Sequence, residues 1–198
     1  MAVVSGMMQL QAFQESKPQI KEKLLDNVAR ISTMASIHEH LYQANNFASL
    51  NFSKNIASIT EKIVKTMKYD TAIKVDTNFE PINLNVNQAI PCSLILSEVL
   101  TNALKHAFKN RSNGEVAITL SEKRNVIRLC IEDDGIGIQK TSTNSTNGQS
   151  LGMHLIAKLA KQLEGKYSYA PSEKGTSFVL TFKKMEVKGS ASAHLYDL

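Results

Sequence analysis

The run Leu96-Ser97-Glu98-Val99-Leu100-Thr101-Asn102-Ala103-Leu104-Lys105-His106-Ala107-Phe108 decides how this 198-residue chain is read. Leu96, Leu100, Ala103, Leu104 and Ala107 recur at helical spacing and predict an apolar stripe turned toward a core. Glu98, Asn102 and His106 stand four apart, so they share another face of the same helix, with Lys105 beside them. An amide oxygen suits a hard cation such as Mg²⁺, a carboxylate can orient a nucleophile, and a lysine meets phosphate. On its own this face reads equally well as the solvated side of an amphipathic helix. Glycine motifs further along the chain shift the balance toward a site.

Outward from this helix the periodicity alternates between helix and strand. Asn87 is placed to cap the helix, with Pro91 in its first turn. Before it, Ile73, Val75, Thr77 and Phe79 alternate, as do Ile82, Leu84 and Val86, which predicts two strands. Further upstream, Asn51 can cap a helix whose buried positions are Phe52, Ile56, Ile59, Ile63 and Met67. After the central helix, Asn113-Gly114 reads as a turn. Val116, Ile118 and Leu120, then Ile127, Leu129 and Ile131, predict an antiparallel hairpin linked by 121–125. Residues 139–150 carry almost nothing apolar and are expected to form a mobile loop. A helix over Leu151–Leu163 follows, with Gly165 past its end, then two strands near Lys166–Ala170 and Thr176–Phe182. Strands interleaved with helices and paired as hairpins indicate an α+β fold, a two-layer α/β sandwich.

The N-terminal part has a different character. Val3, Val4, Met7, Met8 and Leu10 form an apolar stripe on one helix. Ser16 and Gln19 make a capping box, with Pro18 in the first turn of a second helix striped by Ile20, Leu24, Val28, Ile31, Ala35, His38 and Tyr42. Such a hairpin needs a partner for its stripe, and a second copy of the chain would complete a four-helix bundle. The division expected is a helical hairpin over 1–47, a folded domain over 48–184 and a loose tail over 185–198.

Composition excludes several classes. Hydrophobic content of 42% and charged content of 21% are those of a globular protein. The net charge of +5 suits an anionic ligand, but no basic run with interleaved aromatics points to nucleic acid. No apolar run approaches the length of a membrane span. Cys92 and Cys130 lie inside apolar segments and read as reduced core residues, which favours a cytoplasmic setting.

Two further motifs bear chemistry. Asp133-Asp134-Gly135-Ile136-Gly137 ends a strand, where a carboxylate can accept from an exocyclic amine and glycines admit a flat ring. Gly148-Gln149-Ser150-Leu151-Gly152-Met153 enters a helix, whose N-terminal N–H groups bind phosphate. Each alone is also an ordinary turn. No Gly-Lys-Ser/Thr is present, so a P-loop is ruled out, and the glycine spacing is not that of a dinucleotide-binding strand–helix turn.

Taken in order with Gly175-Thr176, these motifs resemble the N, G1, G2 and G3 boxes of the gyrase/Hsp90/histidine-kinase/MutL ATPases, the Bergerat fold, over about 48–184. The segment Ala89–Phe108 is similar to one branch of sensor histidine kinases with a short nucleotide lid. Ser36–Tyr42 and Val3–Gln11 are similar to parts of that branch's dimerisation hairpin. The resemblance implies a protein-histidine kinase core that binds Mg-ATP and passes the γ-phosphoryl to a histidine, then to an aspartate of a response regulator. The alternative is an anti-sigma-type serine kinase or another ATPase of the superfamily, and a third reading is a nucleotide-binding module without catalysis.

The resemblance also assigns roles. Asn102 would bind Mg²⁺, with Glu98 a second candidate ligand. Glu98 would orient the attacking group, and Lys105 and His106 would approach the phosphates. Asp133 would accept from the adenine amine, with Gly135, Gly137 and Ile138 around the base. Gly148, Leu151, Gly152 and Met153 would form the lid hinge and phosphate cradle, and Thr176 would support the base. Ser150 stands where many relatives have glycine, and Asp134 where many have asparagine. The branch implies a homodimer and the cytoplasmic part of a sensor that can be membrane-bound. Its phosphorylated histidine precedes the stretch matching Val3–Gln11. His38 continues the apolar stripe and is read as a core residue, so this piece is expected to bind ATP without phosphorylating itself.

Overall fold

The computed structural model of the protein describes residues 2–21, 23–25, 27–28, 30–31, 35, 49–66, 72–137, 151–171 and 174–185. The expected mobile loop at 139–150, His38, Tyr42, Met67 and the tail beyond 185 lie outside the described residues.

Helix α1 (Ala2–Gln14) is followed by helical residues within 18–35, here α2. The expected capping box is displaced by one residue. The Lys17 carbonyl accepts from the Ile20 and Lys21 amides, both at 3.0 Å, so Lys17 is the cap and Pro18 the first helical residue. The apolar stripe of α1 faces outward: Val3 is 75% exposed and Phe13 72%.

A two-residue strand β1 (Leu50–Asn51) pairs antiparallel with β3 (Asn83–Leu84). Between them run α3 (Phe52–Thr66) and β2 (Ala72–Phe79). Asn51 caps α3 as expected, its Oδ1 accepting from the Lys54 amide at 3.0 Å. The strand expected over 82–86 shrinks to Asn83–Leu84, because Val86 already belongs to α4 (Val86–His106). The cap of α4 is therefore Asn85, whose Oδ1 accepts from the Gln88 amide at 3.0 Å, and not Asn87. Pro91 lies inside this helix, beyond its first turn.

The main sheet has the order β2-β4-β5-β7-β6, built with β4 (Asn113–Lys123), β5 (Val126–Asp133), β6 (Lys166–Pro171) and β7 (Thr176–Lys183). Among the described strands β2 and β4 alone pair in parallel, and α4 lies in the crossover that such a pair requires. Asn113-Gly114 opens β4 instead of turning. The turn lies earlier, where Asn110 has a positive φ of 62°, and the Phe108 ring leaves no room for a Cβ at Gly114. The β4–β5 connection is tighter than 121–125: Lys123 pairs with Val126, and Arg124 and Asn125, both at positive φ, form the two-residue turn.

Inward residues sit in register across the sheet. Ile118 faces Ile131, which faces Phe178; Leu120 faces Leu129, which faces Leu180. All six are buried, and α3, α4 and α5 (Leu151–Gln162) cover that face to form the two-layer α+β sandwich expected. The end of α5 departs from expectation. Glu164, with φ 51°, is the left-handed residue, and the Gly165 amide reaches the Ala160 carbonyl at 2.9 Å in a Schellman-type closure. Gly165 is required by proximity, since a Cβ there would stand 2.8 Å from the Thr181 carbonyl oxygen. Cys92 and Cys130 are both free and buried.

Candidate functional site

The end of β5 places Asp133 beside the first residue of β7, Thr176, its register partner. Asp133 Oδ1 accepts from the amides of Gly135 at 3.0 Å and Thr176 at 3.3 Å. Burial pushes the Asp133 carboxyl above its usual range, against the pull of these two amides. The glycines around it are spatial requirements. At Gly175, with φ 103°, a Cβ would lie 1.9 Å from the Asp133 carbonyl oxygen. At Gly135 it would lie 2.4 Å from the Ala107 carbonyl oxygen, which accepts from the Ile136 amide at 2.9 Å. The Asp-x-Gly-x-Gly turn is thus folded onto the C-terminal end of α4 and against the Gly175-Thr176 turn. Sequence order alone does not reveal that junction.

Asp134 is held by a partner that the sequence reading missed. Arg111 Nη2 donates to its Oδ2 at 2.7 Å, Arg111 Nη1 donates to its carbonyl oxygen, and the Glu115 amide donates to Oδ1 at 2.7 Å. Burial acts to raise the Asp134 carboxyl, but the Glu115 amide and the Arg111 guanidinium outweigh it and hold it low. Arg111 also lies over the Phe108 ring, 5.8 Å from its centroid. A second carboxylate beside Asp133 calls for a nearby cation, and that was the signal available for Arg111.

The polar face of α4 meets the start of α5. A Cβ at Gly152 would stand 2.8 Å from Glu98 Oε2 and 3.8 Å from Asn102 Nδ2. Glu98, Asn102 and Gly152 are therefore neighbours, as one site requires. Glu98 is buried and Asn102 half-buried. A further residue stands there: Arg30 of α2 pairs with Glu98, Nε to Oε1 and Nη2 to Oε2, the latter at 2.8 Å. The periodicity of 18–35 marks only its apolar stripe and gives no sign of this contact. Lys105 and His106 occupy the last turn of α4, where cations also suit the negative end of the helix dipole. Leu151 opens α5, and Met153 packs half-buried against the core. Ile138 and Gly148 lie outside the described residues.

The strand-end carboxylate and its glycine turns meet the C-terminal end of α4, and the polar face of the same helix meets the start of α5. The chain belongs to the histidine kinase-, DNA gyrase B-, and HSP90-like ATPase family, whose model matches residues 87–186. A second model, described as histidine kinase, matches residues 1–67, so the two segments stand in the order of a sensor histidine kinase core. A family of ATPases makes ATP the ligand of the domain.

Sensor histidine kinase PdtaS of Mycobacterium tuberculosis is 24% identical over 184 residues, covering 89% of this chain and 36% of that protein. Blue-light-activated histidine kinase 2 of Erythrobacter litoralis is 34% identical over 106 residues, 53% of this chain and 30% of its own length. The chain thus spans about a third of the length of these relatives. Among solved structures, the histidine kinase domain of the Erythrobacter litoralis EL346 blue-light-activated kinase superposes with a TM-score of 0.73 at 24% identity. It covers 92% of this chain and 85% of that one, and shows the same fold. Among the described residues no helix is long and apolar enough to cross a membrane.

Proposed function

We propose that the chain is the catalytic core of a two-component kinase that binds Mg-ATP and directs its γ-phosphoryl to a histidine, from which it passes to a response-regulator aspartate. The observation that carries this is the convergence of Glu98 and Asn102 with Gly152 at one end of the α4–α5 pair, with Asp133 at the adjoining strand end. Asp133 would take the adenine amine, Asn102 the metal and Glu98 the attacking imidazole, with Lys105 and His106 toward the phosphates. Catalysis would then be positioning and charge neutralisation.

The metal belongs to this proposal. Among the described residues no group of three His, Cys, Asp or Glu side chains is arranged to hold a metal ion. One amide and one carboxylate beside Gly152 fit a Mg²⁺ that is carried mainly by nucleotide phosphates, which is that ion's habit. We assign residues 1–47 to a hairpin that pairs with a second copy, 48–184 to the nucleotide domain and 185–198 to a tail. A cytoplasmic location and a receiver-domain partner follow from the same reading.

The test supplies γ-labelled ATP and a histidine-bearing hairpin from a matched relative. Acid-labile, base-stable label on that hairpin supports the kinase. Acid-stable label on serine transfers the case to the anti-sigma-type reading. Nucleotide binding without any label leaves a binding module.

A further inference from the structure

Among the described residues an ion pair joins α2 to α4 across 68 residues of sequence. Arg30 donates through Nε to Glu98 Oε1 and through Nη2 to Oε2, so both carboxylate oxygens are engaged. The side chains are 18% and 10% exposed. Arg30 Nη1 also reaches Asn27 Oδ1 on the same helix at 3.3 Å, which steadies the guanidinium fork. The Cβ position of Gly152 is 2.8 Å from Glu98 Oε2 and 3.8 Å from both Arg30 Nη2 and Asn102 Nδ2. The carboxylate that a metal brought to Asn102 would meet is the one that Arg30 already holds.

We propose that Arg30 and the metal–nucleotide complex compete for Glu98, so that the hairpin helix is held on the domain at rest and let go when metal and nucleotide arrive. This rests on the nucleotide reading of the site. A largely buried carboxylate stripped of its guanidinium is left uncompensated, and a divalent cation can relieve it. Without metal, the same bare carboxylate would repel phosphate. Linkage makes the effect reciprocal: the factor by which metal–nucleotide loosens Arg30 is the factor by which losing Arg30 tightens metal–nucleotide. An ion pair with a purely structural role moves neither quantity in this way.

The experiment titrates a non-hydrolysable ATP analogue into the full chain and into Arg30→Gln, once with Mg²⁺ and once with chelator. In parallel, hydrogen exchange is followed at residues 27, 28, 30 and 31 of the unaltered chain. With Mg²⁺ the variant should bind at least about fivefold more tightly, the lower end of usual couplings, and with chelator more weakly. Exchange in α2 should speed up on adding Mg²⁺ with analogue. Unchanged or weaker Mg-dependent affinity in Arg30→Gln, or α2 exchange that does not speed up, overturns the proposal. If the variant does not fold, the exchange measurement on the unaltered chain decides alone. Failure of the unaltered chain to bind adenine nucleotide under either condition would overturn the nucleotide reading itself.

Discussion

Asp133 is pulled two ways: burial disfavours its charge, and the Gly135 and Thr176 amides favour it. The net direction is upward, which fixes the sign of its effect on stability. In acid both folded and unfolded chains carry a protonated carboxyl and nothing is lost. As pH rises through the unfolded value of about 3.9 and then the higher native one, stability falls. Asp133→Asn should therefore melt at or above the wild-type temperature at pH 7, an advantage that vanishes below about pH 3. Circular dichroism melts at the two pH values check this, and a variant melting lower at pH 7 contradicts it. The role proposed for Asn102 is of the opposite kind, toward the metal and not the base. Asn102→Ala should weaken a Mg-bound ATP analogue by about tenfold and leave adenosine unaffected, since one oxygen ligand to Mg²⁺ is lost. Equal losses for both ligands in a calorimetric comparison would remove Asn102 from the metal.

At the scale of elements, α4 organises both the core and the site, so its starting point matters. Asn85→Ala should cost about 1 kcal/mol, the usual value of a helix cap, while exposed Asn87→Ala should stay within about 0.5 kcal/mol. Urea unfolding of the two variants separates the assignments, and a larger loss at position 87 would return the cap to Asn87. Two asparagines stand two residues apart here, and periodicity cannot choose between them. The choice is made by β3, which pairs with β1 and stops at Leu84, leaving the next residue to cap. The strands of the hairpin were legible because alternation at Val116–Leu120 and Ile127–Ile131 reports one buried face directly. The order of Asp133, the glycines and Gly175-Thr176 was legible as a motif. Their stacking onto Ala107 was not, because close backbone approach leaves no trace but glycine itself. Arg111–Asp134 and Arg30–Glu98 were missed for a related reason: partners 23 and 68 residues apart lie beyond any local period.

At the scale of the whole molecule, helix α1 carries an apolar outer face while the sandwich has a core of its own. Val3, Val4, Met7, Leu10 and Phe13 are all exposed on α1, which gives the proposed second copy an apolar face to cover. If a second copy covers that face, Phe13→Glu should weaken self-association by about tenfold or more, as truncating an aromatic anchor does, without lowering the melting temperature of the domain. Sedimentation equilibrium reads this, and an unchanged association constant would place the dimer contact elsewhere. The central claim is that the Asp133 end of the sheet receives adenine. Calorimetric titration of ADP into the chain and into Asp133→Asn tests it most directly. The account predicts binding to the wild type, with a loss of about 10- to 100-fold in the variant, the worth of a charge-assisted contact of roughly 1.5–3 kcal/mol. Wild-type affinity in a folded Asp133→Asn protein would contradict it.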